Sequence, residues 1–152
     1  MNAATSPVPQ LHFVVGYDGS APATRALDGA VRLLAGRDGD IHVMFVAHVP
    51  AVDDLSPDAL TQVELSFDEV AEQLRKQAEE QLRGQEDRWK FEWRQGLIPA
   101  ELIATATRIS EEHPGDTVVI VVGSSSRAMH RLVGSAAVSL SRHSPVPLVI
   151  VP

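Results

Sequence analysis

The chain has 152 residues, of which 44% are hydrophobic and 22% charged, and its formal net charge is −7. This length fits one domain with a sizeable core. No apolar run approaches the roughly 18 residues that span a bilayer. The excess of acidic residues argues against a general nucleic-acid binder. The absence of cysteine excludes disulfides, thiolate catalysis and cysteine-ligated metals, so a cytoplasmic location is the default expectation.

The first ten residues differ in composition from the rest of the chain. Residues 1–10 contain two prolines and small polar residues, and they lack the basic and apolar regions of a secretory signal. We therefore expect a disordered lead-in over 1–10, followed by one domain over 11–152.

Apolar patterns of strand and helix type alternate along that domain. The predicted strands are Leu11–Gly16, Ile41–Val49, Trp89–Gln95, Val118–Val122 and Leu148–Val151. The predicted helices begin after Ser20 or Thr24, near Asp58, near Ala100 and at Ser135. Strict alternation of strands and helices indicates an α/β fold in which a five-stranded parallel sheet lies between two helical layers.

The longest predicted helix, from about Asp58 to Gln85, is amphipathic and is expected to end at Gly84. Its apolar stripe consists of Leu60, Val63, Phe67, Val70, Leu74, Ala78 and Leu82. The strand that follows alternates aromatic and polar residues, which is typical of a half-exposed strand at a sheet edge. We expect its two tryptophans to pack against the long helix.

The strongest candidate site follows the central strand. The run Val118–Val122 is β-branched throughout, as in strands buried on both faces of a parallel sheet. A loop of small residues begins at Gly123, and Gly134-Ser135 opens the next helix with Ser135 as its predicted N-cap. Loop amides and a helix N-terminus at the carboxyl end of a parallel strand favour an anionic ligand.

Other kinds of site have no support in the sequence. The six histidines show neither the i, i+4 spacing nor the companion ligands of a zinc site, so no metal is expected. No G-x-S-x-G elbow, Walker A sequence or G-x-G-x-x-G sequence is present. The remaining features are small or acidic residues at the carboxyl ends of strands, which bind a nucleotide rather than react with it.

Four local patterns resemble the universal stress protein family, and the resemblance runs from Phe13 to Pro152. They are Val14–Ser20, His48-Val49-Pro50, Gln95-Gly96-x-x-Pro99, and Val121–Ser125 with Gly134-Ser135-Ala136 and the ending Ser144–Val151. The resemblance implies a flavodoxin-like sheet with strand order 3-2-1-4-5 and a role in stress adaptation. It also implies a homodimer formed through the last strand, Leu148–Val151.

ATP-binding members of that family are similar to one another at G-x2-G-x9-G-[ST]. This chain has Ser126 where the second glycine is expected, and seven residues, 127–133, where the family pattern has nine. Arg127 and Arg131 could offset these departures through charge-assisted bonds to phosphate. The nucleotide-binding positions predicted from the residues and the resemblance together are Asp18, Val49, Gly123, Ser126, Arg127, Gly134 and Ser135.

Three functions remain open at this point. The first is a regulatory protein that binds ATP or another adenine nucleotide, and the second is a dimeric interaction module whose degenerate site holds no nucleotide. The third is a slow nucleotide hydrolase, for which Asp18 and His130 are the only candidate bases. The residue types favour the first, and no protein partner is identified by the sequence.

Overall fold

The computed structural model describes residues 8–48, 55–124 and 135–152. The elements in chain order are β1 (Leu11–Gly16), α1 (Ala21–Leu34), β2 (Gly39–Ala47), α2 (Pro57–Gln81), β3 (Trp89–Gln95), α3 (Ile98–Glu112), β4 (Thr117–Gly123), α4 (Ser135–His143) and β5 (Leu148–Val151). All strand pairs are parallel, and the order across the sheet is β3-β2-β1-β4-β5. The predicted three-layer fold and strand order are therefore confirmed.

The sheet is covered on both faces, which explains the continuous apolar runs of its central strands. On one face, Phe13 and Val15 of β1 pack in a cluster with residues of α1 and α2. On the other face, Val14 packs with residues of α3 and α4. Full burial of a side chain such as Leu27 or Ile120 contributes about 1.5–3 kcal/mol to stability.

Several predicted element ends differ from the observed ones. Strand β2 begins at Gly39 rather than Ile41 because Leu11 of β1 pairs with Gly39, and it ends at Ala47, before the predicted Val49. Helix α2 ends at Gln81 rather than Gln85, and Gly84, with φ of 89°, lies in the turn beyond it. Helix α3 begins at Ile98 rather than Ala100, with proline in its first turn.

Helix α1 begins after Ser20, whose hydroxyl accepts a hydrogen bond from the backbone N–H of Ala23 at 3.3 Å. This selects Ser20 over Thr24 as the cap. Pro22 lies in the first turn, where its missing N–H has no intrahelical partner to lose.

Of the predicted stripe, Leu74, Ala78 and Leu82 are buried and Leu60, Val63 and Phe67 are partly buried, whereas Val70 is 40% exposed. The buried line runs through Ala71, Leu74 and Ala78. At about 100° per residue, Val70 points roughly 60° to one side of Phe67 and roughly 40° to the same side of Leu74. Among the helices of the described ranges, none combines the length and hydropathy needed to cross a bilayer.

Strand β3 forms one edge of the sheet, as predicted. Trp89, Phe91 and Trp93 are partly buried and pack on the cluster beneath α1 and α2. The ring of Trp93 lies 6.2 Å from that of Phe67 on α2, centroid to centroid. The tryptophans therefore have the packing role that their alternation predicts.

The carboxyl end of β4 lies directly against the first turn of α1. A Cβ atom on Gly123 would lie 2.1 Å from the carbonyl oxygen of Pro22 and 2.4 Å from its carbonyl carbon. Because these are backbone atoms, they cannot move aside by a rotamer change. Glycine at this position is thus required for packing, whatever else the loop after β4 does.

We expect Gly123→Ala to lower the free energy of unfolding by about 1–3 kcal/mol, because it overpacks a backbone contact. Urea denaturation followed by circular dichroism measures this loss. The matched control is Gly16→Ala at the end of β1, where the new Cβ would meet side-chain atoms and no backbone, Leu102 at 3.3 Å and Val122 at 3.5 Å. The control should lose less stability than Gly123→Ala, and equal losses would contradict the argument.

Candidate functional site

A cavity of about 340 Å³ opens at the carboxyl edge of the sheet. Helix α1 leaves β1 towards one face of the sheet and α4 lies on the other face. Strands β1 and β4 are neighbours in the sheet, but the helices that follow them lie on opposite faces. The connections that leave the two strands therefore separate and leave a crevice between them. Ligands bind in such crevices in open α/β sheets.

The lining is mostly apolar and comes from strand ends and helix starts. The residues from the strands and from α3 are Gly16, Met44, Val46, Ile98, Val122 and Gly123. Those from α1 and α4 are Pro22, Ala23, Ala136 and Ala137, and the polar lining consists of Tyr17, Asp18 and Ser20. The cavity thus has an apolar interior with polar groups on one side.

Asp18 is held by the turn that joins β1 to α1. Its Oδ1 accepts a hydrogen bond from the backbone N–H of Ser20 at 3.0 Å, and Gly19 between them has φ of 76°, a conformation that favours glycine. The side chain of Asp18 is exposed. The turn therefore places a solvated carboxylate, with acceptor capacity to spare, on the wall of the cavity.

Tyr17 is an uncharged polar group in the lining. It is 4% exposed, and its backbone N–H donates to the carbonyl of Met44 at 2.8 Å. Burial raises the pKa of the phenol, an effect that a hydrogen bond with Thr24 partly opposes. The hydroxyl therefore stays protonated at neutral pH and does not act as a base.

Helix α4 begins at the cavity. The described part of α4 starts at Ser135, and the residue before it lies outside the described ranges, so the N-cap role of Ser135 stays a prediction. Ala136 and Ala137 follow it and line the cavity. Their small side chains leave the first turn of the helix accessible, and the N-terminus of a helix attracts anions through its free N–H groups and its dipole.

The structure brings some of the predicted site residues together. Asp18 and Gly123 line the cavity, and Ser135 is adjacent to its lining. The other predicted positions, Val49, Ser126, Arg127 and Gly134, lie outside the described residues. The candidate base His130 and the cation Arg131 do so as well.

Sequence reasoning missed most of the apolar lining, such as Met44, Val46 and Ile98. These residues follow the same apolar pattern as the core, and Met44 is itself part of the core. The sequence therefore gives no local signal that separates them from ordinary buried residues. Sequence reasoning also missed a polar cluster at the other end of the strands, their amino-terminal end, where His12, Asp40 and His42 meet. The sequence contained one signal for this cluster, which was Asp40-x-His42 at the start of β2 together with His12 near the start of β1.

Comparisons with known proteins agree with this architecture. The universal stress protein family model matches residues 11–152, whereas a comparison with curated proteins gives no significant match. The solved structure of hypothetical protein MJ0577 is 17% identical, with a TM-score of 0.75 over 95% of this chain and 96% of that one.

Two further solved structures contain adenine nucleotides. A universal stress protein in complex with cAMP is 19% identical, with a TM-score of 0.60 over 95% of this chain and 99% of that one. The universal stress protein from Archaeoglobus fulgidus in complex with dAMP is 16% identical, with a TM-score of 0.55 over 95% and 98%. At these identities the structures share the fold. The family match extends from β1 to the last residue, and the chain belongs to the universal stress protein family.

Proposed function

We propose that this protein binds an adenine nucleotide, with ATP as the first candidate, and acts in the cytoplasm as a regulator in stress adaptation. The observation that carries the proposal is the cavity between β1 and β4, which has an apolar interior, a carboxylate on one side and a helix N-terminus on the other. The cAMP and dAMP complexes of proteins with the same fold support the choice of an adenine nucleotide.

Each part of a nucleotide has a matching surface in the cavity. Met44, Val46 and Ile98 offer apolar contact to a base, Asp18 can accept hydrogen bonds from ribose hydroxyls, and the start of α4 favours phosphate. The volume of about 340 Å³ lies in the range of small-molecule sites. On sequence grounds the proposal also includes Val49, Ser126, Arg127 and Gly134.

The lining favours binding over catalysis. Within the described residues, its titratable side chains are Tyr17 and Asp18. The phenol is neutral, and the Asp18 carboxylate is exposed and bonded to its own turn. A slow hydrolase would need a base held against a water molecule beside the phosphates, and the described lining offers none at the start of α4.

A second candidate is an interaction module of the same fold that holds no nucleotide. The observation in its favour is the departure of the sequence from the ATP-binding pattern, with Ser126 in place of glycine and a loop of seven residues before Gly134. A serine forced to positive φ costs about 1 kcal/mol or more relative to glycine. The two candidates differ in whether any adenine nucleotide binds.

The nucleotide proposal predicts that ATP at about 100 times its Kd raises Tm by roughly 5–10 °C. Asp18→Asn should weaken ATP binding by about tenfold or more, because it removes an ionised acceptor. The control is Asp68→Asn, an exposed carboxylate on α2 that is not part of the lining, and it should bind as the unmodified protein does. Calorimetric titration measures the affinities, and mass spectrometry of the denatured protein identifies any nucleotide retained through purification.

No shift with ATP, AMP or cAMP, together with an empty protein, would contradict the nucleotide proposal and support the interaction module. Equal losses in the Asp18 and Asp68 variants would remove the assigned role of Asp18.

We further propose that the protein is a homodimer formed through β5. In this structure β5 pairs with β4 and is the last strand of the sheet. The carbonyls of Pro147 and Val151 accept hydrogen bonds from Ile120 and Ser124. Because successive residues of a strand alternate in direction, the backbone groups of Leu148 and Ile150 face the open edge, where a second copy can pair with them.

Replacing Ile150 by proline removes an N–H on the open edge and leaves the hydrogen bonds to β4 in place. We expect Ile150→Pro to convert the dimer to a monomer, measured by light scattering coupled to size-exclusion chromatography. Ile150→Val keeps the N–H and should remain dimeric, and circular dichroism checks that both variants fold. A proline variant that stays dimeric would place the interface elsewhere.

A further inference from the structure

A cluster of histidine and aspartate side chains lies at the amino edge of the sheet, at the far end of β1 from the cavity. The register of β1 with β2 pairs His12 with Asp40 and Val14 with His42. Paired residues of parallel strands point to the same face, and so do residues two apart. His12, Asp40 and His42 therefore lie together on the face that α3 and α4 cover.

Three ligand atoms converge within this cluster. Oδ1 of Asp40 is 2.6 Å from Nδ1 of His12 and 3.0 Å from Nε2 of His42. The His12 side chain is 2% exposed, that of His42 12% and that of Asp40 26%. The group is therefore held by the core on one side and open to solvent on the other, as a metal site with an entry path requires.

The second nitrogen of His12 is fixed by another carboxylate. Nε2 of His12 lies 2.9 Å from Oδ2 of Asp116, and the other oxygen of Asp116 accepts the backbone N–H of Gln10 at 2.9 Å. Metal-binding histidines typically donate their other N–H to such a carboxylate, which sets the tautomer and the ring orientation. Asp116 thus leaves Nδ1 of His12 as the nitrogen available to a metal.

The charges in the cluster favour a cation. Oδ1 of Asp40 lies 2.6 Å from one ring nitrogen of His12, and Oδ2 of Asp116 lies 2.9 Å from the other. The two carboxylates bring two negative charges to the cluster, which a divalent cation would balance.

We propose that Nδ1 of His12, the carboxylate of Asp40 and Nε2 of His42 bind a divalent transition metal ion, with Zn²⁺ as the best fit. Two imidazoles and a carboxylate form a ligand set that suits zinc. At zinc–ligand distances of about 2.0–2.2 Å, ligand atoms lie roughly 3.3–3.5 Å apart. The three groups offer atoms that all lie within 4.8 Å of one another, so small side-chain rotations suffice. Water completes the coordination on the solvent side.

Binding displaces the proton from each nitrogen that becomes a ligand. Nδ1 of His12 and Nε2 of His42 both donate to Asp40, and each gives up its proton to solvent as its lone pair bonds to the metal. The ring proton of His42 is then carried by its Nδ1. No change of oxidation state is involved.

A second triad, His12 with His113 and Asp116, also brings its ligand atoms within 4.8 Å. It fits less well, because His113 is 49% exposed and its Nδ1 is 4.0 Å from Asp116. It would also remove Asp116 from its role of holding His12. His113 instead stacks on the ring of His12, with centroids 4.8 Å apart.

The test is Zn²⁺ and Co²⁺ titration of the untagged, chelator-treated full chain. We expect one Zn²⁺ per chain, a tetrahedral Co²⁺ absorption band and a rise in Tm with Zn²⁺. His42→Ala should weaken Zn²⁺ binding by at least tenfold and abolish the band. His48→Ala, which changes a histidine just beyond the carboxyl end of β2, should change neither. Asp116→Asn should keep the band but lower affinity by about 10–100-fold, as expected of a positioning residue.

Wild-type protein supplies a readout that does not depend on variant folding. In long-range ¹H–¹⁵N spectra of the histidine rings, Zn²⁺ should shift Nδ1 of His12 and Nε2 of His42 and leave His48 unchanged. Absence of stoichiometric Zn²⁺ binding would overturn the proposal. So would shifts at His113 in place of His42, or equal affinities of the His42→Ala and His48→Ala variants.

Discussion

The enclosure of β1 on all four sides is the constraint on which the rest of the structure depends. Strands β2 and β4 occupy its two edges, and helices cover both of its faces. A strand in this position has no solvent-facing side chains along its middle, so Phe13, Val14 and Val15 are all buried. Only the two ends of the strand can carry polar groups, and both do: Asp18 follows its carboxyl end, and His12 lies near its amino end.

The two ends of β1 present different groups, because the chain enters the strand at one end and leaves it for a helix at the other. At the carboxyl end, the chain turns into α1 through Asp18 and Gly19, while the neighbouring β4 ends at Gly123 against Pro22. Small residues and helix starts dominate there, which suits a ligand recognised by backbone groups. At the amino end the groups that meet are side chains, because His12 already lies within the strand and its partners come from β2 and from the turn before β4.

The histidine at the amino end shows how strongly burial constrains a polar group. His12 is as buried as the leucines of the core, and an unpaired imidazole there would lose its hydrogen bonds to water. Carboxylates occupy both of its ring nitrogens. Hydrogen bonds to Asp116 and Asp40 raise the pKa of His12 even though burial by itself lowers it.

The sequence by itself determined the fold class, the order of the elements and the role of most helices and strands. Hydrophobic periodicity is a local property, and the run Val118–Val122 or the alternation in β3 shows it directly. It also placed Asp18 and Gly123 at the carboxyl ends of their strands, and both residues line the cavity, since turn residues at the carboxyl ends of parallel strands meet at one end of the sheet.

Only the tertiary structure decided which distant residues touch. The close approach of Gly123 to Pro22, the apolar lining that includes Met44, Val46 and Ile98, and the meeting of His12 with Asp40 and Asp116 all depend on strand register and helix docking. His12 and Asp116 are 104 positions apart in the chain. Local periodicity carries no information about such pairs. Whether two distant residues touch depends on how their strands align in the sheet, and the sequence around each residue does not reveal that alignment.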